Sequence, residues 1–74
     1  MSLERIFAEV FSIREEMVND QLDLRDIGSW DSMSHMMLIT RLEEAFAVEF
    51  TGDEIADFRS VKDIREALNR REVK

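Results

Sequence analysis

Residues 28–37 read GSWDSMSHMM, and two kinds of chemistry could be built on them. Ser32 and His35 stand three positions apart, so on a helix they are neighbours and could imitate a nucleophile with its general base. Hydrolysis also needs a group to orient the base, an oxyanion hole and a concave site that excludes water. A chain of 74 residues scarcely encloses such a cavity. His35, the single histidine, is accordingly expected on the surface of its helix. The second chemistry is simpler. A serine hydroxyl at the end of a loop and the start of a helix meets unpaired backbone N–H groups and the positive end of the helix dipole, which favour a phosphate. The competing reading of Ser32 is structural: it caps the helix, a role open to Asp31 as well.

Other chemistries are excluded on composition and spacing. Asp20, Asp23 and Asp26 are spaced by three, whereas a calcium loop needs oxygen ligands at alternate positions and a closing glutamate at the twelfth. With two glycines and no cysteine, the chain can build neither a glycine-rich phosphate loop nor a Cys/His zinc site. Seventeen acidic against ten basic residues give a net charge of -7, which opposes nucleic acid and favours partners with basic patches. The absence of cysteine fits a reducing compartment, and no signal-like or membrane-spanning apolar run is seen, so a cytoplasmic protein is expected. A monomer is the default expectation.

The elements that must position Ser32 follow from periodicity. A domain this small buries only about 60% of the surface its unfolded form exposes, so its core is thin. No proline and 45% apolar residues predict an all-α chain, a single domain over residues 1–74. Leu3, Ile6, Phe7, Val10, Ile13 and Met17 recur at helical spacing and predict a first helix over about 3–18. Periodicity is then lost through NDQLDLRDIGSWD, a loop of about a dozen residues. Leu22, Leu24, Ile27 and Trp30 should pin it to the helices, with Gly28 supplying a turn. The second helix is expected over about 32–47, burying Met36, Ile39, Leu42, Ala45 and Phe46. Thr51-Gly52-Asp53-Glu54 has the form of a capping box and opens a short helix over about 53–57, anchored by Ile55 and Phe58. Ser60-Val61-Lys62-Asp63 repeats the signal and opens the last helix, over about 61–70, with a charged tail expected to fray.

Met33, Met36 and Met37 follow Ser32 on one side of the second helix. They can fill the core, or they can form an exposed docking stripe of the adaptable kind that methionine suits. In this setting the chain resembles the acyl carrier protein family, which includes peptidyl and D-alanyl carriers. Asp31-Ser32-Met33 matches the family's Asp-Ser-Leu or Asp-Ser-Met attachment motif. LITRLEEAFAVEF is similar to its second helix and exit, TGDEIADF to its short third helix, and RSVKDIREAL to its last. The resemblance covers Asp26 to about Leu68, and the first helix matches in length and amphipathic character.

The resemblance implies a four-helix bundle of acyl-carrier type and a non-enzyme. Ser32 would carry 4'-phosphopantetheine derived from coenzyme A, holding acyl or aminoacyl groups as thioesters for fatty-acid, polyketide or related biosynthesis. Asp31 would help position the phosphopantetheinyl transferase and its magnesium. Met33, Met36, Met37, Glu43 and Glu44 would meet the transferase and the loading and processing enzymes through basic docking patches. Two departures stand out. Ser34 and Met37 replace acidic residues usual after the attachment serine, and the stretch before Asp31 is one residue longer than in common fatty-acid carriers and contains Trp30. Both resemble a specialised, free-standing carrier. Trp30 is read either as a loop anchor or as a flank of the arm. The rival from another class is a small acidic helical adaptor with no prosthetic group.

Overall fold

The computed structural model describes residues 2–71. Four helices carry the fold: α1 Leu3–Phe11, α2 Ser32–Phe46, α3 Gly52–Asp57 and α4 Val61–Arg71, with no strand among the described residues. Two short 3-10 turns, Glu15–Met17 and Leu24–Asp26, lie in the long connection between α1 and α2. The bundle is thus three longer helices and one short one, in the order expected.

Helix α1 is shorter than its periodicity predicts. Ser2 caps it by accepting the Arg5 N–H, and it ends where Ser12 turns left-handed (φ 58°) and donates its N–H to the Ala8 carbonyl. A tertiary contact holds this end: the Ser29 hydroxyl donates to the Phe11 carbonyl at 2.9 Å. Beyond the break, Ile13 still packs on the core while Met17 is exposed, so the apolar spacing continued past the point where the helix stops. The break frees Val18, Leu24 and Ile27 to insert into the core, with Leu22 and Trp30 half-buried against it. The anchoring expected of the loop is therefore present, and backbone pairing adds to it. Asp23 and Ser60 form an antiparallel bridge, Leu24 donates to the Arg59 carbonyl at 2.8 Å, and Val61 to that of Leu22 at 3.1 Å. Gly28 is not needed for a special turn. Its φ is not positive, and a Cβ there would meet nothing within 4 Å.

The core forms where α1 presents Leu3, Ile6, Phe7 and Phe11 to Leu38, Ile39 and Leu42 of α2, closed by Val61, Ile64, Ala67 and Leu68 of α4. Met36 and Ala45, expected on the buried face of α2, are exposed. The buried stripe is narrower, because α2 meets neighbours on one side only. Ala47 ends α2 in the left-handed region (φ 56°). Both expected capping boxes are formed: Thr51 with Glu54 on α3, and Ser60 with Asp63 on α4. Contrary to the expected fraying, α4 runs to Arg71, because that side chain donates to Glu54 and lies 5.0 Å over the Phe50 ring. The rest of the tail lies outside the described residues.

The Arg71 guanidinium, followed by the Thr51 backbone N–H, pulls the Glu54 carboxyl down to about 2 from 4.5. A depressed carboxylate contributes stability that is present above its unfolded value and is lost as pH falls through its folded one. Acid titration is therefore expected to remove about 1–2 kcal/mol between about pH 4.5 and 2 through this pair, which solvent still reaches. Glu54→Gln should lose that contribution at pH 7 and flatten this part of the curve; urea midpoints at pH 7, 4 and 2.5 check it.

Candidate functional site

Helix α2 is capped by Asp31, not by Ser32. The Asp31 carboxylate accepts the Ser34 N–H at 2.8 Å, and the Ser34 hydroxyl accepts the Asp31 N–H at 2.8 Å, closing a reciprocal box. These bonds, the Ser34 backbone N–H first, hold the Asp31 carboxyl below the usual carboxylate range. Asp31 is thus an anion beside the first helical residue. Ser32 is that residue; it is exposed, and its hydroxyl makes no hydrogen bond among the described residues. The structural reading of Ser32 fails here because its role is already taken. Asp-x-x-Ser is itself a capping pattern, so the part played by Ser34 was legible but missed.

His35 departs from the surface position expected of it. It is half-buried, and both ring nitrogens are engaged. The Trp30 indole N–H donates to Nδ1 at 3.2 Å, and Nε2 lies 3.0 Å from the Ile55 carbonyl. An indole nitrogen can only donate, so Nδ1 accepts and Nε2 carries the proton to the carbonyl. His35 therefore joins the loop, α2 and α3, and neither nitrogen is free to take a proton from Ser32. The hydrolase reading ends on this geometry. Trp30 meets its imidazole edge-on at a centroid distance of 5.8 Å and packs on the core, fulfilling the anchor role.

Trp30 also flanks a groove beside Ser32. This depression, of about 460 Å³, runs between the loop, α2 and α3, with Leu24, Ile55 and Phe58 forming apolar wall and Ser32 and Arg25 in its lining. A group joined to the Ser32 oxygen would have solvent on one side and this wall on the other. The arrangement fits a long phosphate-linked arm: an unencumbered hydroxyl at the start of a helix and room to lie down.

Met33, Met36 and Met37 are exposed by 73%, 49% and 53%, so they do not fill the core. With Thr40 and Arg41 they line a second, shallower depression of about 540 Å³ on the outer face of α2. The acidic pair divides. Glu43 turns its carboxylate inward to accept the Phe50 N–H at 2.8 Å, while Glu44 stays exposed. Among the described residues no helix is long and apolar enough to cross a membrane, and no cluster of three potential metal ligands occurs.

Comparisons with known proteins agree with this geometry. The family model described as a phosphopantetheine attachment site matches residues 2–68. An acyl carrier protein from Phytoplasma mali (strain AT) is 30% identical over 66 residues, spanning 89% of this chain and 79% of that protein. Among solved structures, the holo acyl carrier protein from Geobacter metallireducens superposes with a TM-score of 0.82 at 31% identity, covering 92% of this chain and 78% of that one. The holo acyl carrier protein from Nitrosomonas europaea superposes with a TM-score of 0.81 at 25% identity, covering 92% and 88%. With residues 2–68 of the 74 matched by the attachment-site family and the fold shared with holo carriers, the chain belongs to the acyl carrier protein family, whose prosthetic group is covalently attached 4'-phosphopantetheine.

Proposed function

We propose that Ser32 is the attachment residue and that the protein works as a carrier and not as a catalyst. The observation that carries this reading is the freedom of the Ser32 hydroxyl: it is exposed at the start of α2 while Asp31 and Ser34 do the capping. When bound, the arm supplies a thiol that holds an acyl or aminoacyl group as a thioester. The chain's own residues supply the rest. Asp31, an ionised neighbour, would help position the transferase and its magnesium, a cation that prefers hard carboxylate ligands. Met33, Met36, Met37 and Glu44 form the face presented to the transferase and to loading and processing enzymes. Glu43 contributes there only by holding the exit of α2.

An apolar methionine face with Glu44 as the one free acid of the pair supports a specialised carrier for fatty-acid, polyketide or related biosynthesis over one that relies on an acidic docking patch. Intact mass before and after incubation with coenzyme A, magnesium and a promiscuous phosphopantetheinyl transferase tests the reading. A gain of one phosphopantetheinyl group, mapped to the peptide containing Ser32, is the expected result. No gain with several transferases would leave the methionine face as the surface of an adaptor.

A further inference from the structure

Three depressions on the described surface each have at least one guanidinium in their lining. Three of these four cations are neutralised: Arg65 by Glu4 and Asp20, Arg71 by Glu54, and Arg41 by Glu9. Arg25, in the groove beside Ser32, makes no ion pair and no side-chain hydrogen bond among the described residues. That groove has no carboxylate in its lining, although the chain carries seventeen. The backbone beneath Arg25 is fixed, since its N–H is held by Asp23 at 2.8 Å and the preceding N–H by the Arg59 carbonyl. Arg25 is thus an exposed, unpaired cation on a tethered turn, in the same lining as Ser32.

Apart from the Ser32 hydroxyl, the other side-chain donors of the groove are already used. The Trp30 N–H goes to His35, and the His35 N–H to Ile55. We propose that Arg25 binds the phosphodiester of the arm on Ser32 and lays the arm along the groove toward α3. The inference rests on Ser32 being the attachment residue. A phosphodiester on the Ser32 oxygen is the anion that attachment itself brings to this lining, and a guanidinium fork matches two of its oxygens. Asp31, an anion at the start of the helix, repels that phosphate, so Arg25 offsets a local cost as well as setting direction. Arg25 is a positioning residue in this scheme.

The test loads the parent, Arg25→Ala and Arg25→Lys from coenzyme A, verifies each by intact mass, and records the 31P resonance of the phosphodiester against salt. Arg25 has no native side-chain partner, so the three apo proteins should share melting temperatures and amide spectra. The parent's 31P resonance should be displaced from that of Arg25→Ala, with Arg25→Lys between them. The displacement should vanish near 1 M salt, where the Debye length is about 3 Å. Arm protons should sharpen in Arg25→Ala as the arm is released. Coincident 31P resonances in all three would overturn the proposal. So would a displacement seen only after loading a carboxylate-ended acyl group, which would assign the guanidinium to cargo. Loss of loading in Arg25→Ala alone would move Arg25 to the transferase contact. Failure of the parent to gain mass would sink the attachment reading, and this proposal with it.

Discussion

Ser32→Ala is expected to give a folded protein that gains no mass from coenzyme A under conditions that load the parent completely. Its stability should change by less than about 0.5 kcal/mol, because the substitution removes no cap and places a better helix former in the first turn. The melting temperature should therefore stay within about 4 °C of the parent. Ser34→Ala is the informative partner. It breaks the capping box, so its melting temperature should fall by several degrees, a cap being worth about 1 kcal/mol; yet it keeps the Ser32 hydroxyl and should still load. A loaded Ser32→Ala would place attachment elsewhere. A large loss of stability in that variant would mean that Ser32, not Asp31, caps the helix.

The second large effect belongs to the core. Phe7 is fully buried on α1, with its ring centroid 5.9 Å from that of Phe11 and the face of α2 beyond it. Truncating a buried phenylalanine to alanine costs about 3–5 kcal/mol. A domain of this size has about 4–11 kcal/mol in total, with no disulfide to fall back on. Phe7→Ala should consequently be largely unfolded near physiological temperature, with far-UV helicity reduced and loading lowered in proportion to the folded fraction. A shift in the urea transition corresponding to less than 1 kcal/mol would show that α1 is not the support of α2 that its burial indicates.

Such effects separate what local sequence can specify from what it cannot. The capping boxes at Thr51 and Ser60 were legible because a cap is satisfied within four residues of itself. Asp31-Ser32-Met33 was legible as a family motif because its residues are contiguous at the start of α2. The end of α1 was not legible. Apolar spacing continues through Ile13 and Met17, while the helix is terminated by a left-handed Ser12 and a hydroxyl from Ser29. That hydroxyl arrives from the far end of the loop.

His35 makes the same point at the site. Spacing placed it beside Ser32 and assigned it to the surface, but its environment is set by an indole from the loop and a carbonyl from α3. Likewise, Glu43 and Glu44 are alike in sequence and differ only because the exit of α2 brings the Phe50 N–H to one of them. By itself the sequence determined an acidic all-helical chain and its four-helix order, since periodicity and capping act over a single turn, while Ser32 was singled out by the resemblance of Asp31-Ser32-Met33 to a family motif. Which methionines stay outside, where α1 stops and which cation is left unpaired beside Ser32 were decided only when the helices met, because burial and ion pairing depend on residues distant in the chain.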